Sequence, residues 1–192
     1  MTSPQAGDRR AAILDAALEA FNRRGVSAAT VEDVRRLSGA SVGSIYHHFG
    51  GKEELAAELY LQGLRGYQRG FLAVLRRERD AERGIKAMVR HHLRWVAANP
   101  EMTRFLFARR DDDKRVHELN RETFAATAAW LEPHMRAGRI RRLPLSLVYA
   151  VVLGPSQELA RHWLGGGVEI SIRQAERALA DAAWRAVAGE GG

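Results

Sequence analysis

The chain has 192 residues, no cysteine and a formal net charge of +7. That length buries a substantial core without covalent staples, and the missing thiols exclude disulfides, thiolate metal sites and cysteine nucleophiles. Residues 1–56 carry seven basic and seven acidic side chains, so the whole positive excess lies beyond them and bulk charge is a poor witness for a nucleic-acid partner.

The opening Met-Thr-Ser-Pro-Gln-Ala-Gly-Asp lacks a basic region followed by an apolar one. The most apolar window, Leu147 to Leu153, is far shorter than the roughly 20 residues of a membrane span, so the expectation is a soluble cytoplasmic protein with no membrane partner. Beyond the first eight residues, which read as unstructured, Ile13, Leu14, Ala17, Leu18 and Phe21 recur at helical spacing between Arg9 and Arg24, and Gly25 ends that helix. Thr30 with Asp33 three residues on marks the N-cap of a second helix, which Gly39 stops. Ser41 caps a third, on which Val42, Ile45, Tyr46 and Phe49 divide between two faces, and Gly50-Gly51 breaks it. A long helix follows from Lys52 to about Arg79, with Glu53 and Glu54 in its first turn, and links two domains. Further helices are expected over Ala81–Asn99, Glu101–Arg110, Asp111–Ala137, Pro144–Leu164 and Ile170–Ala188. Gly154-Pro155 kinks or restarts the penultimate one, because proline lacks the N–H donor and crowds the preceding turn. No strand alternation is present, and the tail Gly189-Glu190-Gly191-Gly192 reads as unstructured. The expected fold is all-α: an N-terminal three-helix helix-turn-helix domain over residues 8–68, its motif at about 31–50, then a helical effector-binding and dimerisation domain over 69–188.

A glycine turn between two short capped helices is a device for placing a helix in the major groove, where base edges carry the full donor and acceptor code. From Val34 to Lys52 there are Arg35, Arg36, Lys52 and two histidines but no Asp or Glu, so the surface approaches phosphates without like-charge repulsion. Ser44 and His47 are the best base-edge readers. Val42 suits a thymine methyl, Gly43 lets the backbone come close, and Tyr46 and His48 can donate to phosphate oxygens. Thr30 and Lys52, each at a helix start, fit phosphate clamps. Arg35 either crowds the helix pair or reaches outward to a phosphate. Phe49 reads as core, and Thr30 and Ser41 would be needed as caps in any helical protein.

Thr30-Val31, Gly39-x-Ser41-x-Gly43-x-Ile45-Tyr46-x-His48-Phe49 and Lys52-x-x-Leu55, preceded by Ile13-Leu14-Asp15-Ala16-Ala17 and Phe21, resemble the N-terminal domain of TetR-family transcriptional regulators over roughly the first 65 residues. The chain departs from that pattern at Arg35 and Ser38, where small alanines are usual, and at Ala40, which replaces a common valine. The resemblance implies an all-helical homodimer that binds a double-stranded DNA operator and leaves it when the C-terminal domain binds a small effector, the long helix from Lys52 swinging in response.

For the effector, Met88, His92, Trp95, Phe124, Tyr149 and Gln157 supply aromatic bulk with polar handles, and they equally suit an ordinary core. The arginines at 136, 139, 141 and 142 follow a helix C-terminus, where cations offset the dipole. Dimerisation through the last two helices is expected from the stripes Leu147, Ala150, Leu153, Ala160, Leu164 and Ile172, Ala175, Leu179, Ala182, Ala183, Val187, whose alanines permit close approach. No cofactor or metal is expected, since the histidine pairs 47–48 and 91–92 are adjacent whereas a helical chelate needs a spacing of three or four. The alternative roles are an activator, or a factor answering to a protein partner. A remote one is a serine hydrolase using Gly39-Ala40-Ser41-Val42-Gly43, which lacks the preceding strand that a nucleophile elbow requires.

Overall fold

A computed structural model describes residues 4–109 and 113–189, the first three of them by backbone alone. Among the described residues the helices are α1 (Pro4–Ala28), α2 (Val31–Ser38), α3 (Val42–Phe49), α4 (Lys52–Arg77), α5 (Ala81–Ala98), α6 (Pro100–Ala108), α7 (Lys114–Arg136), α8 (Leu145–Val152), α9 (Gly154–Leu164) and α10 (Ile172–Val187). The only extended pairing among them is an isolated antiparallel bridge between Ile140 and Ala188.

Most boundaries follow the local signals. Gly25 interrupts α1 with φ 74° and ψ 156°, a conformation open to glycine, after which the chain makes one more turn to Ala28. Gly39, at φ 68°, closes α2 in the left-handed conformation and its N–H bonds to the Arg35 carbonyl. Residues 4–8, expected to lack structure, are already helical, because Pro4 starts α1 with a φ suited to the first turn. Gly154-Pro155 does restart the chain, separating α8 from α9. The aspartates expected to begin the seventh helix at 111 and 112 lie outside the described residues, as do the last three residues of the tail.

The chain divides into two compact units. One takes the residues up to Leu64 and the α6 segment from Glu101; the other takes Arg65–Pro100 and the chain from Lys114 onward. In the first, the apolar stripe of α1 (Ile13, Ala17, Phe21) packs with Val34, Ile45, Phe49, Leu55 and Leu59. A single sequence boundary near residue 68 leaves out the return of α6. Phe105 stacks on Phe21 at 5.9 Å and meets Tyr60 edge-on at 6.4 Å, while Asn22 Nδ2 donates to the Glu101 carbonyl at 2.9 Å. Arg10 lies 5.0 Å over the Phe49 ring and pairs with Glu58 at 2.9 Å, which ties α1 to the end of α3.

In the second unit Phe71, Ile85, Val89, Leu93, Leu131, Val148 and Val152 form the centre of the core, closed by Ala175, Ala180, Ala183 and Val187 of α10. Small side chains let α10 lie close along α5, and the contact is pinned by Arg94 to Glu176 through two 2.8 Å bonds and by Lys86 between Glu82 and Asp181, each at 2.6 Å. That packing corrects the expected dimer stripe. Leu153, Ala160, Ala175, Ala183 and Val187 are buried in the chain's own core, whereas Leu147, at 49% exposure, with Ala150 and Ala182, remains on the surface. No described helix is long and apolar enough to cross a membrane.

Phe105→Ala is expected to cost about 3–5 kcal/mol, as for a ring removed from a closed core. Urea unfolding checks it; a loss under about 1 kcal/mol would mean that α6 contributes little to the first unit.

Candidate nucleic-acid interface and interior aromatic cluster

The first turn of α2 is organised around Asp33. Its backbone N–H donates to Thr30 Oγ1 at 3.1 Å, while Asp33 Oδ2 accepts from the Thr30 amide at 3.0 Å and the Thr30 hydroxyl at 2.8 Å. This reciprocal cap satisfies two helix-start donors, and Thr30's hydroxyl and amide hold the Asp33 carboxyl below its ordinary pKa. The same carboxylate accepts from Arg24 at 3.4 Å and Arg36 at 3.3 Å. Arg35 neither crowds the helix pair nor stands free: it makes a bidentate pair with Glu32 at 2.8 and 2.7 Å on the exposed side of α2, and that bond raises its pKa.

α3 is capped by Ser41, whose Oγ accepts from Ser44 N at 3.1 Å. Ile45 and Phe49 turn into the core. The opposite face carries Val42 (39% exposed), Gly43, Tyr46 (51% exposed) and His47, with Ser44 and His48 half-buried beside them. A Cβ on Gly43 would meet nothing within 4 Å, so no packing contact inside the chain demands glycine there. Lys52 is not a loose cation. Its Nζ donates to the Ser27 carbonyl at 3.0 Å, anchoring the start of α4 to the end of α1. Ser41 sits between two helices and not after a strand, which removes the elbow geometry from its Gly-x-Ser-x-Gly.

Sequence reading passed over Arg24 and Leu37, and named Arg36 among the surface cations without its partner Asp33. Arg36 stands three residues from Asp33 and was findable by that spacing. Arg24 reaches Asp33 only through the packing of α1 on α2, and the apolar Leu37 is exposed beside the turn.

In the second unit four of the six expected effector residues come together. His92 Nδ1 lies 3.1 Å from Tyr67 Oη, and Tyr67 meets Trp95 edge-on at 5.3 Å. Phe71 stacks on Tyr67 at 6.1 Å and on Tyr149 at 6.5 Å, and Phe124 meets Tyr149 at 5.0 Å. Tyr67 and Phe71, the joining rings, were missed, although they stand four apart on the inner stripe of α4. Met88 is core, and Gln157 is exposed on α9. Around the rings, Thr127 Oγ1 and Tyr149 Oη share a bond at 3.0 Å, and Gln68 bridges Asn120 and Thr123, each at 2.8 Å. Burial, with His91 adjacent, pushes the His92 pKa down to about 4, and burial raises those of Tyr67 and Tyr149.

A histidine depressed in the folded chain takes up a proton on unfolding, so the stability it contributes is complete above about pH 6.5 and is lost as the pH falls towards 4. Between pH 7 and pH 5, His92→Phe is expected to lose about 2 kcal/mol less stability than the parent chain in urea titrations. Parallel losses would show that His92 already carries its proton when folded.

Three comparisons bear on the chain. Residues 13–59 match the family model described as bacterial regulatory proteins, tetR family. The chain is 35% identical over 88 residues to the HTH-type transcriptional regulator SrpR of Pseudomonas putida, covering 46% of this chain and 41% of that one. It is 41% identical over 73 residues to the HTH-type transcriptional repressor KstR2 of Rhodococcus jostii, covering 35% and 34%. The matched part thus spans well under half the length of these curated relatives. Solved structures extend the likeness of fold to nearly the whole chain. A TetR-family transcription regulator from Marinobacter aquaeolei superimposes with TM-score 0.79 at 21% identity, covering 97% of this chain and 98% of that one. A tetR-family regulatory protein from Rhodococcus does so with TM-score 0.80 at 19% identity, covering 94% and 97%.

Proposed function

We propose, from the premise that this chain carries the N-terminal helix-turn-helix domain of TetR-family regulators, that it represses transcription as a homodimer on a pseudo-palindromic operator until a small-molecule effector releases it. The observation that carries this reading is the face of α3. Val42, Gly43, Tyr46 and His47 are exposed together on a helix of the first unit, capped at its start and anchored beneath by Ile45 and Phe49. A major groove admits such a helix, and the donors at Ser44 and His47 match base edges. Tyr46 and His48 then flank the groove as phosphate contacts, while Arg35 retains donors beyond its bond to Glu32; Thr30, expected as a phosphate clamp, spends both its donors on Asp33 and serves as the cap of α2. Gly43 keeps the first turn of α3 low where the duplex backbone approaches.

Lys52 acts as a clamp in a second sense. It fixes the end of α1 to the start of α4 and leaves its remaining N–H donors for a phosphate. A single reading helix binds weakly, and two at about 34–36 Å match one turn of the duplex, so the functional species is a dimer. Its surface draws on the exposed residues of α8 and α10, namely Leu147, Ala150 and Ala182. The name of the relative KstR2 as a repressor supports repression over activation. Binding of an effector in the second unit lowers operator affinity, and by linkage the operator lowers effector affinity by the same factor. No catalytic role is assigned to Ser41.

Selection of bound sites from random duplexes tests the assignment. His47→Ala is expected to change the recovered base preference, whereas Lys52→Ala weakens all sites alike and reduces the log–log salt slope by about one. Retention of an unchanged consensus by His47→Ala would remove His47 from base reading. Sedimentation of Leu147→Arg is expected to show a shift from dimer towards monomer at micromolar concentration; an unchanged dimer would place the interface elsewhere.

A further inference from the structure

The ring cluster of the second unit contains one polar group with nothing to bond. Tyr149 and Thr127 bond to each other, and Gln68 is held by Asn120 and Thr123. His91 Nε2 reaches the Tyr67 carbonyl at 3.0 Å. His92, only 4% exposed, uses Nδ1 on Tyr67 and leaves Nε2 buried with no partner among the described residues. An orphaned polar atom inside a core costs free energy comparable to a lost hydrogen bond, so it marks either a defect or an unfilled recognition point.

Which kind of partner Nε2 wants follows from proton placement. Burial keeps the Tyr67 phenol protonated and the His92 ring neutral near neutral pH. The Tyr67 hydroxyl has His92 Nδ1 as its bonding partner, and the arrangement that uses both groups has Tyr67 Oη donating and Nδ1 accepting. The one imidazole proton is then on Nε2, a donor in search of an acceptor. His92 meets the Tyr67 ring edge-on at 5.7 Å, and Tyr67 in turn meets Phe71, His91 and Trp95, so the histidine belongs to a cluster of rings that favours flat apolar bodies and disfavours net charge. Phe124, 44% exposed, meets Tyr149 edge-on and is the solvent-facing ring of the cluster.

We propose that this cluster takes an uncharged, ring-bearing apolar ligand whose carbonyl oxygen accepts a hydrogen bond from His92 Nε2. This rests on the reading of the second unit as the effector-binding part, and it narrows the effector to neutral carbonyl compounds as against carboxylates or cations. Tyr67 is the positioning residue, since its hydroxyl selects the tautomer that donates.

Three matched probes test it: naphthyl methyl ketone, ethylnaphthalene of the same shape without the acceptor, and naphthoate with a charge. Calorimetry at pH 7 is expected to rank the ketone about tenfold tighter than the hydrocarbon, with naphthoate weakest. His92→Phe is expected to bind ethylnaphthalene at least as well as the parent and to lose the preference for the ketone. Tyr67→Phe reduces that preference with little change for the hydrocarbon, and in the parent the ketone moves the Nε2 resonance of His92 in nitrogen NMR. Preference for naphthoate, equal binding of ketone and hydrocarbon, a preference that survives His92→Phe, or no binding of any probe would each overturn the proposal. Binding of the selected duplex is measured on the same preparation. A protein that holds DNA but fails these tests defeats the ligand class alone, and one that passes them without binding DNA defeats the regulator reading alone.

Discussion

Four donors converge on the carboxylate of Asp33: the amide and hydroxyl of Thr30, and the guanidinium groups of Arg24 and Arg36. The first two define where α2 begins; Arg24 fixes α2 against the end of α1. Since α3 follows after a turn of three residues, the orientation of its exposed face is inherited from this one capped start. A short helix has little intrinsic stability in water, so α2 and α3, eight residues each, exist because their ends are satisfied and their inner faces are buried. Lys52 on the Ser27 carbonyl and Arg10 over Phe49 repeat the device at the other margins of the unit. All three use a charged group to neutralise a helix end or cover a ring while the stretch from Val34 to Lys52 carries no acid.

The second unit solves a different problem. Its core holds hydroxyls, an amide and imidazoles, several of which pair with one another as neutral groups, while His92 Nε2, His134 Nδ1 and Ser156 Oγ have no partner among the described residues. Charge is kept to the outer seam of α5 and α10, in the pairs of Arg94 with Glu176 and Lys86 with Asp181. The interior is therefore apolar and uncharged with a few oriented dipoles, the composition of a site that selects ligands by shape and one or two hydrogen bonds. A small apolar hollow between α5, α9 and α10 is lined by Leu93, Leu159, Trp163 and other apolar side chains, and it offers a ligand no such handle.

Caps, glycine stops and apolar periodicity are local in sequence, and they were legible wherever a helix carried its own signals. Thr30 with Asp33, Ser41 and Gly39 placed α2 and α3 close to their observed ends, while the stripe of α1 marked its buried face and not its start at Pro4. The stripe of α10 was equally visible, but periodicity says only that a face is apolar and not what covers it, and in the fold α5 covers it. Arg35 illustrates the same limit, because a partner three residues away competes with phosphate for the guanidinium on equal terms until the geometry is seen. The aromatic residues of the second half showed no spacing that separates a pocket from a core, since both use the same side chains.

By itself the amino-acid order determined that the chain is all-helical, where its second, third and fourth helices begin and end, and that a capped helix-turn-helix with a cation-bearing, acid-free surface stands near its start. Those properties depend on hydrogen bonds and side-chain repeats within a few residues of each other. Only the tertiary structure decided that α6 returns to the first unit, that Arg24 meets Asp33, that α10 spends its alanines on α5, and that His92 keeps one nitrogen unbonded among rings drawn from α4, α5, α7 and α8. Each of those joins residues distant in sequence, and which distant surfaces meet is settled by competition among all the apolar faces for burial, a contest that no single segment encodes.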